Sequence, residues 1–139
     1  MTQNQDPFVG TWTLDPGRSV FDPNHRPARA TMVFERGADG GYVMTASGID
    51  GKGEAVSERP QRTRPDGKPY PVPDFPGLVT VTTRPDARTL QSEVRREDGS
   101  VAGGGTMVVS PDGGSLTVMT FGFDSQLREF RQQTGWRRA

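Results

Sequence analysis

The chain has 139 residues, 31% hydrophobic and 24% charged, with Lys+Arg and Asp+Glu balanced at 17 each. That length fits one domain around one core, and the cancelled charge gives no electrostatic reason to expect DNA, RNA or an anionic membrane as a partner. With no cysteine and a single histidine, disulfides, thiolate catalysis, zinc–sulfur sites and multi-histidine metal sites are excluded.

Residues 1–6 read as an N-terminal tail. The opening MTQNQDPF has neither the basic n-region nor the apolar h-region of a signal peptide. No apolar run approaches the roughly 20 residues of a membrane span. A cytoplasmic location is expected, with a secreted or periplasmic one left open because a removed signal would leave the same evidence. The first strand is expected over 7–14. There FVGTWTL places Phe8, Gly10, Trp12 and Leu14 on one face. Gly10 gives up side-chain volume that the Trp12 indole can cross, so this face plugs one end of a barrel, a structural role. Residues 15–28 carry three prolines and read as a loop. His25 lies in it, either as a general base, with an ordinary pKa near 6.5, or as an exposed loop residue.

Further strands are expected at 29–36, 41–49, 54–63, 78–84, 88–96, 101–110, 115–123 and 127–135, with a short one near 69–73. Five Asp-Gly pairs, at 39, 50, 66, 98 and 112, mark hairpin turns between them. Tyr42 and Met44 share a face and line either a cavity or a packed core. Residues 65–77, with five prolines, form a second loop that carries Tyr70; Tyr42, Tyr70 and His25 are the available acid–base groups. Gly103-Gly104-Gly105 reads as a bend, since no Lys-Ser/Thr follows it as a phosphate loop requires. In LTVMTFGF the set Thr117, Met119, Phe121 and Phe123 occupies one face, which lines a lumen, with Met119 and Phe121 as its ligand contacts, or is packed core. On the last strand Arg128 and Phe130 alternate with Leu127 and Glu129. Either Arg128 faces in as a cation awaiting an anion or a carboxylate partner, or Glu129 and Arg131 bring an ion pair inside, or the face is simply solvated. No stretch shows a 3.6-residue period. The expected fold is all-β, an up-and-down antiparallel barrel of about 8–10 strands over 7–136, which hides its sheet edges by closure. A two-sheet sandwich is the alternative.

Gly10-Thr11-Trp12 matches the G-x-W signature of lipocalins and their calycin relatives, and FVGTWTL resembles the opening of the intracellular fatty-acid-binding proteins. With Asp-Pro-Gly-Arg-Ser at 15–19, Tyr-Pro-Val at 70–72 and SPDGGSLTV at 110–118, most of the chain is similar to small bacterial lipocalin-like proteins. The resemblance implies a barrel enclosing a small apolar or amphipathic molecule. It also implies a last-strand arginine packed over the tryptophan, Arg131 or Arg128 here. The Arg-x-Tyr pair that holds a fatty carboxylate in fatty-acid-binding proteins reads Arg128-Glu129-Phe130, without the tyrosine hydroxyl, which speaks against fatty-carboxylate capture. Residues 15–28 are too rich in proline for those proteins' helical lid. Haem-binding relatives use a late histidine, and none follows residue 25.

The expected function is binding of a small hydrophobic or amphipathic molecule in the lumen, with Tyr42, Met44, Met119, Phe121, Arg128 and Phe130 as ligand contacts and Gly10, Trp12 and Arg131 as structural residues. The alternative is a cofactor-independent enzyme, an isomerase, cyclase or lyase, in the same cavity. A third reading is a filled barrel acting as an interaction domain. No metal, cofactor, nucleic acid or membrane span is expected; a homodimer through an unpaired edge stays open.

Overall fold

In the computed structural model, which describes residues 6–20, 27–38, 40–50, 52–57, 60–72, 75–123 and 128–139, the described residues form strands and turns without a helix. Eleven strands follow in chain order: β1 (Gly10–Val20), β2 (Pro27–Arg36), β3 (Tyr42–Asp50), β4 (Ala55–Ser57), β5 (Gln61–Thr63), β6 (Pro69–Pro71), β7 (Val79–Asp86), β8 (Thr89–Arg95), β9 (Val101–Val109), β10 (Ser115–Phe123) and β11 (Glu129–Arg138). Turn chemistry sets the hairpins. Gly99 and Gly113 take φ of 86° and 76°, which glycine adopts without a Cβ clash. The preceding aspartates accept backbone N–H bonds two residues on, Ser100 to Asp98 at 2.8 Å and Gly114 to Asp112 at 2.9 Å.

All strands belong to one antiparallel sheet, ordered β4-β3-β2-β1-β11-β10-β9-β8-β7-β6, with β5 also on β3. The first and last strands are zipped together, Trp12 opposite Arg138 and Leu14 opposite Trp136. The two ends of the path, β4 and β5 on one side and β6 on the other, are therefore neighbours in sequence. This is an all-β, up-and-down sheet curled as a half-barrel, with its seam in mid-chain.

Two expectations about strands change. The single strand at 54–63 is two short ones, β4 and β5, laid on β3. The loop expected from residue 15 begins later, since Asp15–Val20 continues β1. Its ladder to β11 is interrupted between Asp15 and Val20, where Pro16 has no N–H to donate.

Alternation divides the sheet into an inner and an outer face. One end is closed: Phe8, Trp12, Leu14, Met32, Phe34, Tyr42, Leu90, Val109, Leu116 and Trp136 form the core. Phe8, Phe34 and Tyr42 make a triangle of tilted and edge-on rings with centroids 5.8–6.0 Å apart, a favourable aromatic arrangement. Leu116 faces Trp136 across the ladder, both buried. Period-2 alternation then sends Thr117, Met119, Phe121 and Phe123 outward, and Met119 and Phe123 are each 44% exposed. The face assigned to the lumen from sequence is the outer one.

Candidate functional site

The closed end is built on Gly10, Trp12 and a residue the sequence reading passed over. Arg138, in the last turn of β11, lays its guanidinium over Trp12, 4.2 Å from the ring centroid. It donates to the carbonyls of Val9 at 2.8 Å, Pro7 at 2.7 Å and Gly113 at 2.8 Å. Gly10 has φ of 137°, and a Cβ there would collide with the Arg138 guanidinium. The volume it releases thus admits the arginine rather than the indole. Trp12 is held from the other side by its own Nε1–H, which donates to Phe8 O at 3.0 Å. Arg131, assigned to this role from sequence, lies on the outer face with 76% of its side chain exposed and pairs with Glu129 at 2.9 Å. Its guanidinium also lies 5.9 Å from the Phe121 ring centroid, outside the barrel. The difference is one of reach: Arg138 is opposite Trp12, whereas Arg131 is opposite Phe121.

Beneath the aromatic triangle a polar latch ties the chain together. The Tyr42 hydroxyl donates to Asp6 Oδ2, Arg84 Nη1 donates to the Tyr42 oxygen at 2.7 Å, and Arg36 pairs with Asp6 at 2.9 Å. Asp6, read as tail, thereby joins β2, β3 and β7. Burial pushes its carboxyl up, but the Tyr42 hydroxyl, the Phe8 N–H and Arg84 outweigh that and hold it below the ordinary value. Burial and the neighbouring Asp6 push the Tyr42 phenol up to about 12. Tyr42 is thus a fixed donor in the packed floor. Tyr70, on β6, donates to the exposed Asp66 carboxylate, which raises the phenol. The Arg64 guanidinium lies 4.7 Å from its ring centroid. His25 lies outside the described residues.

Above the floor the inner face changes character. On β2 and β3 the large floor residues Phe34 and Met32, opposite Met44 and Ala46, give way to Ala30 opposite Gly48. Met44, Ala46 and Gly48 are only half-buried. On the facing wall one row runs straight across five strands: Gln132 opposite Thr120, Thr120 opposite Gly105, Gly105 opposite Ser92, Ser92 opposite Thr82. Thr82 and Ser92 share a hydrogen bond of 2.8 Å. Next towards the mouth, Phe130 lies against Gly122, its ring 3.2 Å from where a Cβ would stand. Arg128 is exposed just ahead of β11.

Of the six residues expected to touch a ligand, Met44 and Phe130 face the upper lumen. Tyr42 faces in but is packed in the floor, Arg128 stands at the mouth, and Met119 and Phe121 are outside. The row of Gln132, Thr120, Ser92 and Thr82 went unnoticed. Counting by twos, back from Trp136 and forward from Leu116, would have found its first two members. An open groove of about 440 Å³ lies at the β2–β3–β4 end of the sheet, bounded by Arg29, Thr31, Ser47, Ile49, Ala55 and Ser57 together with the wall residues Ala30 and Gly48. Among the described residues no three His, Cys, Asp or Glu side chains gather as a metal site, and no helix is long and apolar enough to cross a membrane.

No protein-family model and no curated protein matches the chain. Solved structures do. Wild-type UnaG, a fluorescent protein, superposes with a TM-score of 0.61 at 15% identity, covering 100% of both chains. A UnaG mutant gives 0.62 at 14%, covering 96% of this chain and 97% of its own. As-p18, an extracellular fatty acid binding protein, gives 0.52 at 13%, with coverage of 96% and 97%. At such identities the likeness is one of fold, the lipocalin-like, calycin type of β-barrel.

Proposed function

Taking the calycin fold as premise, we propose that this protein binds a small hydrophobic or amphipathic molecule in the upper half of its lumen. The observation that carries the reading is the two-zone inner face. The floor is packed shut by large aromatics, while the wall above it is built from the small residues Ala30, Ala46, Gly48, Gly103, Gly105 and Gly122, which project little or no side chain into the lumen. A barrel meant only to be solid would place bulk there. Apolar walls with a few placed polar groups are the usual make-up of a ligand site. The same fold in a fatty acid binding protein supports the reading.

Acid–base catalysis without a cofactor has one structural feature in its favour, the Asp6–Tyr42 pair. That pair lies under the aromatic floor, is engaged by Arg84 and Arg36, and holds its phenol protonated. It serves better as a latch than as a reaction centre, so binding is the preferred reading.

The test is retention of ligand by detergent-free protein in native mass spectrometry, together with Nile red fluorescence on delipidated protein. Ala46→Phe, which fills the upper lumen, is expected to abolish both signals, and Met119→Ser on the outer face to leave both unchanged. Equal Nile red binding by wild type and Ala46→Phe would overturn the lumen assignment.

A further inference from the structure

Gln132 Oε1 is buried, and no group among the described residues donates to it. Buried acceptors are rarely left unpaired, because the lost hydration is not recovered. This one projects from the inner face of β11 into the row formed with Thr120, Gly105, Ser92 and Thr82. Every side chain in that row is uncharged. Gly105 adds no side chain to the row. The two arginines at inner positions nearer the floor are already committed, Arg84 to Tyr42 and Asp6 and Arg138 to three backbone carbonyls. An ionised carboxylate only accepts hydrogen bonds; with Oε1 of the carboxamide turned into the row, as here, it would set oxygen against oxygen, and the row holds no cation to balance its charge.

We propose that Gln132 selects the ligand, and that the ligand is a neutral amphipathic molecule presenting an O–H or N–H donor to Gln132 Oε1, with its apolar part against the Ala30–Ala46–Gly48 wall. The assignment rests on the lumen-binding reading above and names the ligand class of that same site. It differs from the expectation drawn from Arg128, which would select an anion at the mouth.

The experiment is displacement of Nile red from delipidated full-length protein by four dodecyl compounds of equal chain length: 1-dodecanol, dodecanamide, methyl dodecanoate and dodecanoate. The alcohol and the amide are expected to compete at concentrations about tenfold lower than the ester and the anion, the scale of one well-placed hydrogen bond. In Gln132→Met, which keeps the length and removes the acceptor, that preference is expected to collapse to within about twofold. The variant's thermal midpoint should be equal to or above that of wild type, because an unpaired acceptor has been removed. Equal competition by all four compounds in wild type would overturn the assignment of Gln132 and leave lumen binding standing. A donor preference that survives Gln132→Met would do the same. Failure of Nile red to bind at all would overturn both readings.

Discussion

Replacing Arg138 with leucine tests the architecture of the closed end. The guanidinium gives up three hydrogen bonds, to Val9, Pro7 and Gly113, and its place over the Trp12 ring. A hydrogen bond to a charged group contributes about 1.5–3 kcal/mol, and a cation over an indole about 0.5–2 kcal/mol. The sum overshoots, because the side chain is only partly buried and water replaces part of what is lost. A net cost of about 2–4 kcal/mol is expected. With an m-value of about 1–3 kcal/mol/M, the urea midpoint should fall by about 1–2 M at constant slope. The control is Arg131→Leu: on the outer face, with exposed contacts to its near neighbour Glu129 and the Phe121 ring, it should leave the midpoint in place. Arg138→Lys should recover only part of the loss, since an ammonium cannot span three carbonyls and stack at once. Equal effects of the Arg138 and Arg131 substitutions would refute the assignment of the tryptophan's partner.

Two further outcomes follow from the latch. Asp6 has its folded carboxyl value below 3.8, so the stability it adds is complete above that value and is lost as pH falls through the folded one. Urea midpoints measured from neutral pH down to about pH 3 should therefore drop less in Asp6→Asn than in wild type. Asp66, Asp86, Asp98 and Asp112 are lowered as well, so the variant keeps some acid sensitivity; parallel curves would show that Asp6 is not the coupled group. Tyr42→Phe removes the hydroxyl between Asp6 and Arg84 and should cost about 1–2 kcal/mol in urea. Nile red affinity should stay within about twofold, because the ring remains in the floor; a large loss of affinity would place Tyr42 in the site itself.

Much of the fold was legible because two signals agree: Asp-Gly turns and period-2 alternation bound nearly every strand. Trp12 was readable as the plug, since Gly10 stands two places before it at the head of the first strand, in the G-x-W pattern. Its partner was not. Choosing among several late arginines requires the register of β11 against β1, which no local pattern encodes. The same limit explains β10. In LTVMTFGF both faces carry apolar residues or threonine, so size favoured the face with Met119 and Phe121. The ladder from Leu116 to Trp136 decides the opposite. The polar row was invisible for a different reason: Thr82, Ser92, Thr120 and Gln132 are commonplace residues spread over four strands, brought into line only by pairing. The split of 54–63 into β4 and β5 likewise depends on where β3 accepts them.

The placement of the seam carries a kinetic consequence. In the sheet, β1–β5 and β6–β11 are two meanders whose pairings are local, and the ladder between β1 and β11 alone joins positions more than a hundred residues apart. Each meander can assemble from short hairpins. Closing the one distant ladder requires the whole intervening chain to be gathered first, which makes it the slow event. Arg138 bonds across that ladder to Val9 and Pro7, 129 and 131 residues away. Its contacts belong to that closing step, so weakening them should slow refolding as well as hasten unfolding.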